Sequence, residues 1–273
     1  MSNTHIVSNT NIIIRQLVGE EQRSNITADL FGVYFPLQLE PFVFSMASRL
    51  SEDYDQFSQE IRLTSPGGET VDYIVGAFYQ DSSLDFGDSI NVPTDSLLRL
   101  LANPFAGIST RRVFEQDTEV WAAFGQATWN ITDRFSVTGG ARWQTEEKDA
   151  EVLQSLTVPG LSLLSANLIS TAPANNGEMD RDTDEVTWSL TPQFTLSDDV
   201  NLFATVSHGF KSGGFNVGWG RTPIDQREFK DEDIMHYEAG VKSTLLEGAM
   251  QLAVSAFYTE YDDYQDAAFV GQT

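Results

Sequence analysis

The feature that most constrains the fold of this chain is a strict alternation of apolar and polar residues over runs of ten or more positions. From 134 to 146 the odd positions carry apolar or small residues: Phe135, Val137, Gly139, Ala141 and Trp143. From 185 to 197 the even positions do so instead: Val186, Trp188, Leu190, Pro192, Phe194 and Leu196. Successive side chains of a β-strand point to opposite faces of its sheet, so each run predicts a strand with one apolar face and one polar face.

The alternating runs come in pairs joined by short turns, and each pair predicts a β-hairpin. We predict hairpins near 57–80, 118–146, 185–212 and 235–261, with inner turns at about 65–70, 132–133, 198–199 and 246–248. The links between hairpins, 81–116, 147–184 and 213–234, are long and rich in Asp, Glu, Asn, Gly, Ser and Pro. Short turns at one end and long loops at the other are typical of bacterial outer-membrane barrels.

Some segments fit this pattern less well. Val120 and Phe124 fall on the polar face of the run from 118 to 131, and Phe203 falls on the polar face of the run that follows the turn at 198–199. Residues 1–56 carry the weakest signal, and there we predict an early strand ending near Ile12–Ile14, followed by a long loop over 15–56. The chain is accordingly divided into 1–56 and a barrel segment over 57–273.

Alternation alone does not separate a membrane barrel from a water-soluble sandwich, because both have a polar and an apolar side. Strands of about twelve residues are long for soluble sheets, in which about five or six is usual. The polar faces carry charges that suit a wet lumen: Glu60, Arg62, Arg142, Glu146, Glu238 and Lys242. Trp121 and Trp129 share a face and lie roughly 26 Å apart at about 3.3 Å per residue, which is near the height of a lipid-facing band. We therefore predict an all-β, antiparallel, up-and-down transmembrane β-barrel segment of about 8–10 strands.

Composition excludes several classes of function. The formal net charge is -24, and so acidic a surface repels the phosphates of nucleic acid and of anionic lipid headgroups. Solubility or adaptation to salt explains this charge more simply than a specific cation site does. Cysteine is absent, which excludes disulfides and thiol chemistry. No run of about 18 apolar residues occurs, so no transmembrane helix is predicted.

The search for reactive groups predicts no catalytic residue, no metal site and no cofactor. His5, His208 and His236 are far apart and lack metal-ligand spacing, so we assign them structural roles. Asp180, Asp182 and Asp184 have the first spacings of a calcium loop, but the sixth and twelfth positions are not Gly and Glu, and a polar loop returning into a strand fits better. Gly213-Gly214 after Lys211 does not precede a predicted helix, so it is not a phosphate site.

Several stretches together resemble the middle of the barrel domain of TonB-dependent receptors. They are SQEIRLTSPGGETVDYIVGAFY (58–79), EVWAAFGQATWNITDRFSVTGGARWQTEEKDA (119–150), SLTPQFTLSDDVNLFATVSHGFKSGGFN (189–216) and HYEAGVKSTLLEGAMQLAVSAFYTEYDDYQ (236–265). The most specific are the Gly-Phe-Lys-Ser-Gly-Gly-Phe-Asn and Tyr-Glu-Ala-Gly-Val-Lys segments. The resemblance covers about 57–270.

The resemblance implies a 22-stranded barrel in the outer membrane of a Gram-negative bacterium, filled by an N-terminal plug and importing scarce nutrients with energy from the inner membrane. The implied partners are outer-membrane lipid, a TonB-type energising complex and a siderophore or similar nutrient. No plug, N-terminal TonB box, aromatic C-terminal strand or signal peptide is recognisable. We therefore expect an internal fragment or an incomplete gene product.

Three functions remain open at this stage. The first is a transport protein, a receptor segment for TonB-energised uptake of a ferric siderophore or similar bulky nutrient. The second is a passive, porin-like outer-membrane barrel, which needs no plug. The third, less favoured, is a secreted β-structured hydrolase, for which no Ser/His/Asp or paired-carboxylate constellation is visible, so we predict that the chain is not an enzyme.

Overall fold

The structure is a computed structural model, and it describes residues 5–18, 22–26, 44–91, 109–156, 175–217 and 222–266. These residues form twelve strands and one short 3-10 turn, Ile224–Gln226. The strands are β1 His5–Val18, β2 Gln22–Ile26, β3 Phe44–Thr64, β4 Val71–Asn91, β5 Ser109–Thr132, β6 Phe135–Leu156, β7 Gly177–Ser197, β8 Val200–Lys211, β9 Gly214–Phe215, β10 Glu228–Phe229, β11 Glu232–Leu245 and β12 Met250–Asp262. Within the described ranges, no helix is long and apolar enough to cross a membrane.

Ten of the strands form one antiparallel sheet in which neighbours along the chain are neighbours in space. The order is β1-β3-β4-β5-β6-β7-β8-β11-β12, and β2 pairs with β3 beside β1. Strands β9 and β10 form a separate two-stranded ribbon. In the described part of the chain, β1 and β12 do not pair with each other, so the sheet is an open sector of an up-and-down barrel. The predicted antiparallel partial barrel is thereby confirmed.

The strands extend well beyond the ends that the sequence pattern indicates. Strand β4 continues to Asn91, β6 continues to Leu156, and β7 begins at Gly177, so much of the predicted links 81–116 and 147–184 is sheet. Strand β3 begins at Phe44, inside the predicted loop over 15–56, and runs through the division set at residue 56. The pattern of the lipid-facing band does not continue into these extensions, because the outer face becomes acidic there while apolar residues such as Phe114 and Val152 lie on the inner face.

One row across the extended part shows why the pattern disappears. Asp53 pairs with Asp85, Asp85 with Glu115, Glu115 with Glu151, and Glu151 with Glu178, so five carboxylates lie side by side on five strands. Like charges in such positions oppose each other, and only water and salt reduce this repulsion. This row holds part of the large net negative charge. It lies on the outer side of the sheet, beyond the apolar band.

The apolar face of the sheet stays exposed over its whole width. Its side chains, each between 39% and 56% exposed, include Ile61, Val75, Trp121, Trp129, Trp143, Trp188, Leu190 and Val254. No second layer of described residues covers this face, as a water-soluble sandwich would require. From the row that contains Ile61, Trp143 and Val186 to the short turns, the outer face of β3 to β7 carries no Asp, Glu, Lys or Arg, which is the composition that contact with hydrocarbon demands.

The apolar residues that break the alternation fill spaces on the inner face. A Cβ built on Gly76 lies 2.5 Å from the ring of Phe124, and one built on Gly240 lies 2.7 Å from the ring of Phe203. Each ring therefore covers a glycine on the neighbouring strand. This arrangement stabilises the sheet at a position that has no side chain of its own. The amine of Lys242 lies 5.1 Å from the centre of the Phe203 ring. Packing within the lumen thus explains the two inward-facing phenylalanines.

Leu190→Arg tests contact of the outer face with lipid. Leu190 is 44% exposed and lies in the middle of the apolar stretch of β7. We expect the substitution to lower the free energy of unfolding from bilayers by about 2–4 kcal/mol, because a cation would lie in hydrocarbon. Urea titration of the protein refolded into phospholipid vesicles measures this change. Ser189→Arg is the matched control on the inner face and should change stability far less; equal losses at both positions would contradict lipid contact.

Gly76→Ala tests the interlock between glycine and aromatic ring. The added methyl group would meet both the Phe124 ring and, at 2.7 Å, the carbonyl oxygen of Ile61. We expect a loss of about 1–3 kcal/mol from overpacking. Gly125→Ala is the control, because its Cβ would meet the Val75 side chain at an ordinary 3.5 Å. The temperature at which β-sheet circular dichroism is lost compares the two, and equal midpoints would exclude the interlock.

Candidate functional site

The segment between β8 and β11 folds back against the inner face of the sheet. We call its described residues, 212–217 and 222–231, the strap. The strap contains β9, the 3-10 turn and β10, and its two legs pair through Gly214 with Phe229 and Phe215 with Glu228. The strap lies on the lumen side of the sheet, where it would face a transported ligand. We therefore take it as the candidate functional site.

An apolar contact anchors the strap to the wall. The Phe215 side chain is 9% exposed and packs in a cluster with Phe114 of β5, Ala150 and Val152 of β6, and Met179 of β7. Leu84, Phe86, Val217 and Ile224 pack around this cluster. Burying one phenylalanine side chain contributes about 1.5–3 kcal/mol, so Phe215 alone gives the strap a substantial hold on the wall.

Three cations of the wall bind the strap, one from each of β5, β6 and β7. Arg112 of β5 donates to the carbonyl oxygen of Val217 and forms an ion pair with Asp88 at 3.1 Å. Lys148 of β6 donates to the hydroxyl of Ser212 and to the carbonyl oxygen of Gly213, each at 2.7 Å. Both cations therefore bind the first leg of the strap.

Arg181 of β7 binds the returning leg. Its guanidinium forms ion pairs with Glu228 and with Asp231, the latter at 2.5 Å. Asp231 also accepts a hydrogen bond from the backbone N–H of Gly213 at 2.6 Å, which joins the returning leg to the first. The guanidinium is only 10% exposed and lies between two carboxylates, so water screens its pair with Asp231 less than it screens a pair on the open surface.

The side chain of Arg227 lies inside the strap and is 1% exposed. It donates to the carbonyl oxygen of Asn216 at 2.9 Å and to that of Asn175 at 3.5 Å, so it joins the strap to a residue two positions before β7. Burial lowers the pKa of Arg227, although the guanidinium remains charged at neutral pH. Burial also lowers the pKa of Arg112, while Asp88 opposes this effect and the nearby charge of Arg227 adds to it.

Gln265, after β12, closes the base of the strap. Its side-chain amide donates to the carbonyl oxygens of Lys211, Ser212 and Lys230, at 3.3, 3.3 and 2.8 Å. An open cavity of about 810 Å³ lies between this base and the strap. Phe229 and Tyr264 line it, and both are well exposed. The cavity therefore offers aromatic surface together with charges of both signs.

The described histidine side chains lie outside the strap. His208 is on the outer side, within 2.9 Å of the Val186 carbonyl oxygen and 3.2 Å of Asp233. His236 contacts the Thr259 hydroxyl at 2.9 Å and stacks on Phe257. The side chain of His5 lies outside the described residues. Gly213 and Gly214 belong to the strap, so the sequence prediction that they are not a phosphate site stays a prediction.

Asp180, Asp182 and Asp184 lie within β7, where they alternate with Arg181 and Thr183. They therefore belong to a strand, and the prediction of a polar loop at this point is wrong in detail. Among the residues that the structure describes, no group of three or more His, Asp or Glu side chains is arranged to hold a metal ion.

Sequence reasoning did not find the residues that hold the strap. Arg112, Lys148 and Arg181 fall in the predicted links 81–116 and 147–184, so they appeared to be loop residues. The register places Lys148 directly opposite Arg181, and such an unfavourable pair of like charges is visible only once the strands are aligned. Each cation also binds a carbonyl, hydroxyl or carboxylate group of the strap, which lies too far along the chain for a local sequence pattern to reveal.

Comparison with known proteins gives consistent matches. A family model described as TonB dependent receptor-like, beta-barrel matches residues 9–273. The pesticin receptors of Yersinia enterocolitica and Yersinia pestis are each 24% identical over 222 residues, which is 81% of this chain and 29% of each receptor. The chain therefore spans less than a third of the length of these curated relatives.

Solved structures show the same fold. The ferric yersiniabactin uptake receptor FyuA from Yersinia pestis superposes with a TM-score of 0.62 at 18% identity, over 97% of this chain and 37% of that one. The siderophore receptor PiuA from Acinetobacter baumannii gives a TM-score of 0.59 at 18% identity, over 79% and 32%. The similarity confirms the predicted fold class.

Arg227→Ala tests whether the buried guanidinium holds the strap. The change removes one donor from the carbonyl oxygens of Asn216 and Asn175, which costs about 1–3 kcal/mol for buried acceptors. We expect amide hydrogen exchange over 212–217 and 222–231 to become roughly tenfold faster, since 1.4 kcal/mol is a factor of ten. Arg134→Ala, at an exposed turn residue, is the control. Unchanged exchange in the strap would show that Arg227 does not hold it.

Proposed function

Because this chain belongs to the TonB dependent receptor-like β-barrel family, we propose that it forms part of the wall of a receptor that takes up ferric siderophores. By the same membership it is an outer-membrane protein of Gram-negative bacteria, and the family consists of receptors and transporters. Uptake of a ferric siderophore by this protein is the proposed part. It is supported by the structure of the wall and by the descriptions of similar proteins as siderophore receptors.

The observation that carries the proposal is the separation of charge between the two faces of one sheet. The outer face is free of ionised side chains across the apolar band, whereas the inner face carries Glu60, Arg62, Arg142, Glu146 and Lys242. Such a wall separates hydrocarbon from a wet lumen, which a transport protein needs. A secreted hydrolase in water would have no reason to leave so wide an apolar face uncovered.

The ligand class is proposed from the similar proteins. FyuA is described as a ferric yersiniabactin uptake receptor and PiuA as a siderophore receptor. Their overlap with this chain lies in the barrel wall and the segments that connect its strands. The open cavity beside the strap, with Phe229 and Tyr264 on its lining, gives an aromatic surface on which the aromatic or apolar part of a chelator could pack.

Energisation is part of the same proposal. We infer that import is driven by a TonB-type complex of the inner membrane that acts through a plug domain, as the resemblance to the family implies. The outer face of the wall contacts outer-membrane lipid, and the net charge of -24 disfavours nucleic acid as a partner. A passive porin remains the alternative and differs in needing no energy source.

Growth under iron limitation tests this function. A strain without the complete gene product should lose growth on a ferric siderophore, with ferric yersiniabactin as the first probe, and should regain it when the gene is restored. Removing the TonB-type partner should abolish the same growth. Growth that persists without that partner would favour a passive barrel. Growth unchanged by loss of the gene across a panel of siderophores would reject the siderophore proposal.

A further inference from the structure

We propose that the strap is a fixed part of the lumen wall, fastened to β5, β6 and β7, and that it stays in place when ligand binds. It would then be a permanent lining of the passage and not a lid that opens. The statement about ligand rests on the proposed function, whereas the fastening stands on the contacts of the strap alone.

Both legs of the strap are fastened, and to different strands. The first leg is bound by Lys148 through Ser212 and Gly213, and by Arg112 through Val217. The returning leg is bound by Arg181. A lid that swings on one hinge would have one free leg, whereas this arrangement leaves neither leg free.

The two legs are also locked to each other. A Cβ on Gly213 would lie 2.9 Å from the guanidinium carbon of Arg181 and would collide with the carbonyl oxygen of Phe229, so the chain passes there with no space to spare. The backbone N–H of Asn216 donates to the carbonyl oxygen of Arg227 at 2.6 Å. Opening one leg would therefore displace the other, and the contacts to all three wall strands would break together.

Burial opposes such an opening. Phe215 is 9% exposed, Arg227 is 1% exposed, and the Val152 side chain beneath them is fully buried. Movement of the strap would bring apolar surface into water and would break the hydrogen bonds of a buried guanidinium. With the strap in place, the inner faces of β5 to β7 at this level are covered. Ligand would then meet the opposite side of the strap, where Phe229 is 41% exposed.

Distance measurements between two spin labels test the proposal. Asp225→Cys places one label on the strap, and Leu153→Cys places the other on the exposed side of β6. This chain has no cysteine of its own, so the labels attach at these two positions only. The measurement uses the complete gene product in detergent or nanodiscs, on a background without other cysteines. It is made with and without ferric yersiniabactin, whose binding is followed by tryptophan fluorescence in the same sample.

We expect one narrow distance distribution that bound ligand leaves unchanged within its width. Arg112→Ala combined with Arg181→Ala should broaden it at least twofold, and Arg134→Ala should not. Should that pair of substitutions prevent folding, Glu228→Gln with Asp231→Asn removes the anionic partners of Arg181 and leaves the wall intact. Three results would overturn the proposal. They are a distribution that is broad in the unsubstituted protein, a distribution that shifts when ligand binds, and a distribution that stays narrow when the contacts of Arg112 and Arg181 are removed. Absence of binding would instead count against the proposed ligand, while the unliganded and variant distributions still decide whether the strap is fastened.

Discussion

Backbone hydrogen bonding in a medium without water is the constraint on which this structure depends. Every N–H and C=O group at membrane depth must find a partner within the protein, and an antiparallel ladder supplies these partners from strand to strand. The ladder runs from β3 to β8 and on to β11 and β12; between β7 and β8 it is interrupted at Thr191 and Pro192, and its register shifts beside the short turns after β5 and β7. Given that ladder, the face of each side chain follows from its position in the strand, and the two environments, lipid and lumen, then select the composition of each face.

The sequence predicted those parts of the fold in which lipid selects composition. Between Trp121 and Trp129, and between Val186 and Leu196, alternation indicates a strand because the lipid-facing side carries only apolar or small residues. Beyond the band the outer face of the same strands lies in water, so Asp85 and Glu151 look like loop residues in the sequence although their backbones pair with both neighbouring strands. Inner-face exceptions such as Phe124 and Phe203 could not be placed from sequence, because their partners, Gly76 and Gly240, lie on neighbouring strands.

The strap was hidden from sequence analysis for a related reason. Its fastening residues come from three strands and from both legs of one connection, so only the aligned sheet brings them together. The segment Gly-Phe-Lys-Ser-Gly-Gly-Phe-Asn was recognised as family-like, and it supplies Gly213, which admits the close approach of Arg181, and Phe215, which enters the wall. This family-like segment is therefore the place where the strap enters the lumen and is bound to the wall.

The pairing of Gly76 with Phe124 also restricts the order in which mutations can accumulate. A descendant of this chain that gained a side chain at position 76 before losing the ring at 124 would pass through an overpacked intermediate, whereas the reverse order passes through a tolerable gap. The two sites are 48 positions apart in the chain, yet their evolutionary histories are coupled in one direction. Shrinking the aromatic residue first removes the clash with the ring, whereas the carbonyl oxygen of Ile61, 2.7 Å from the added Cβ, still restricts what position 76 can hold.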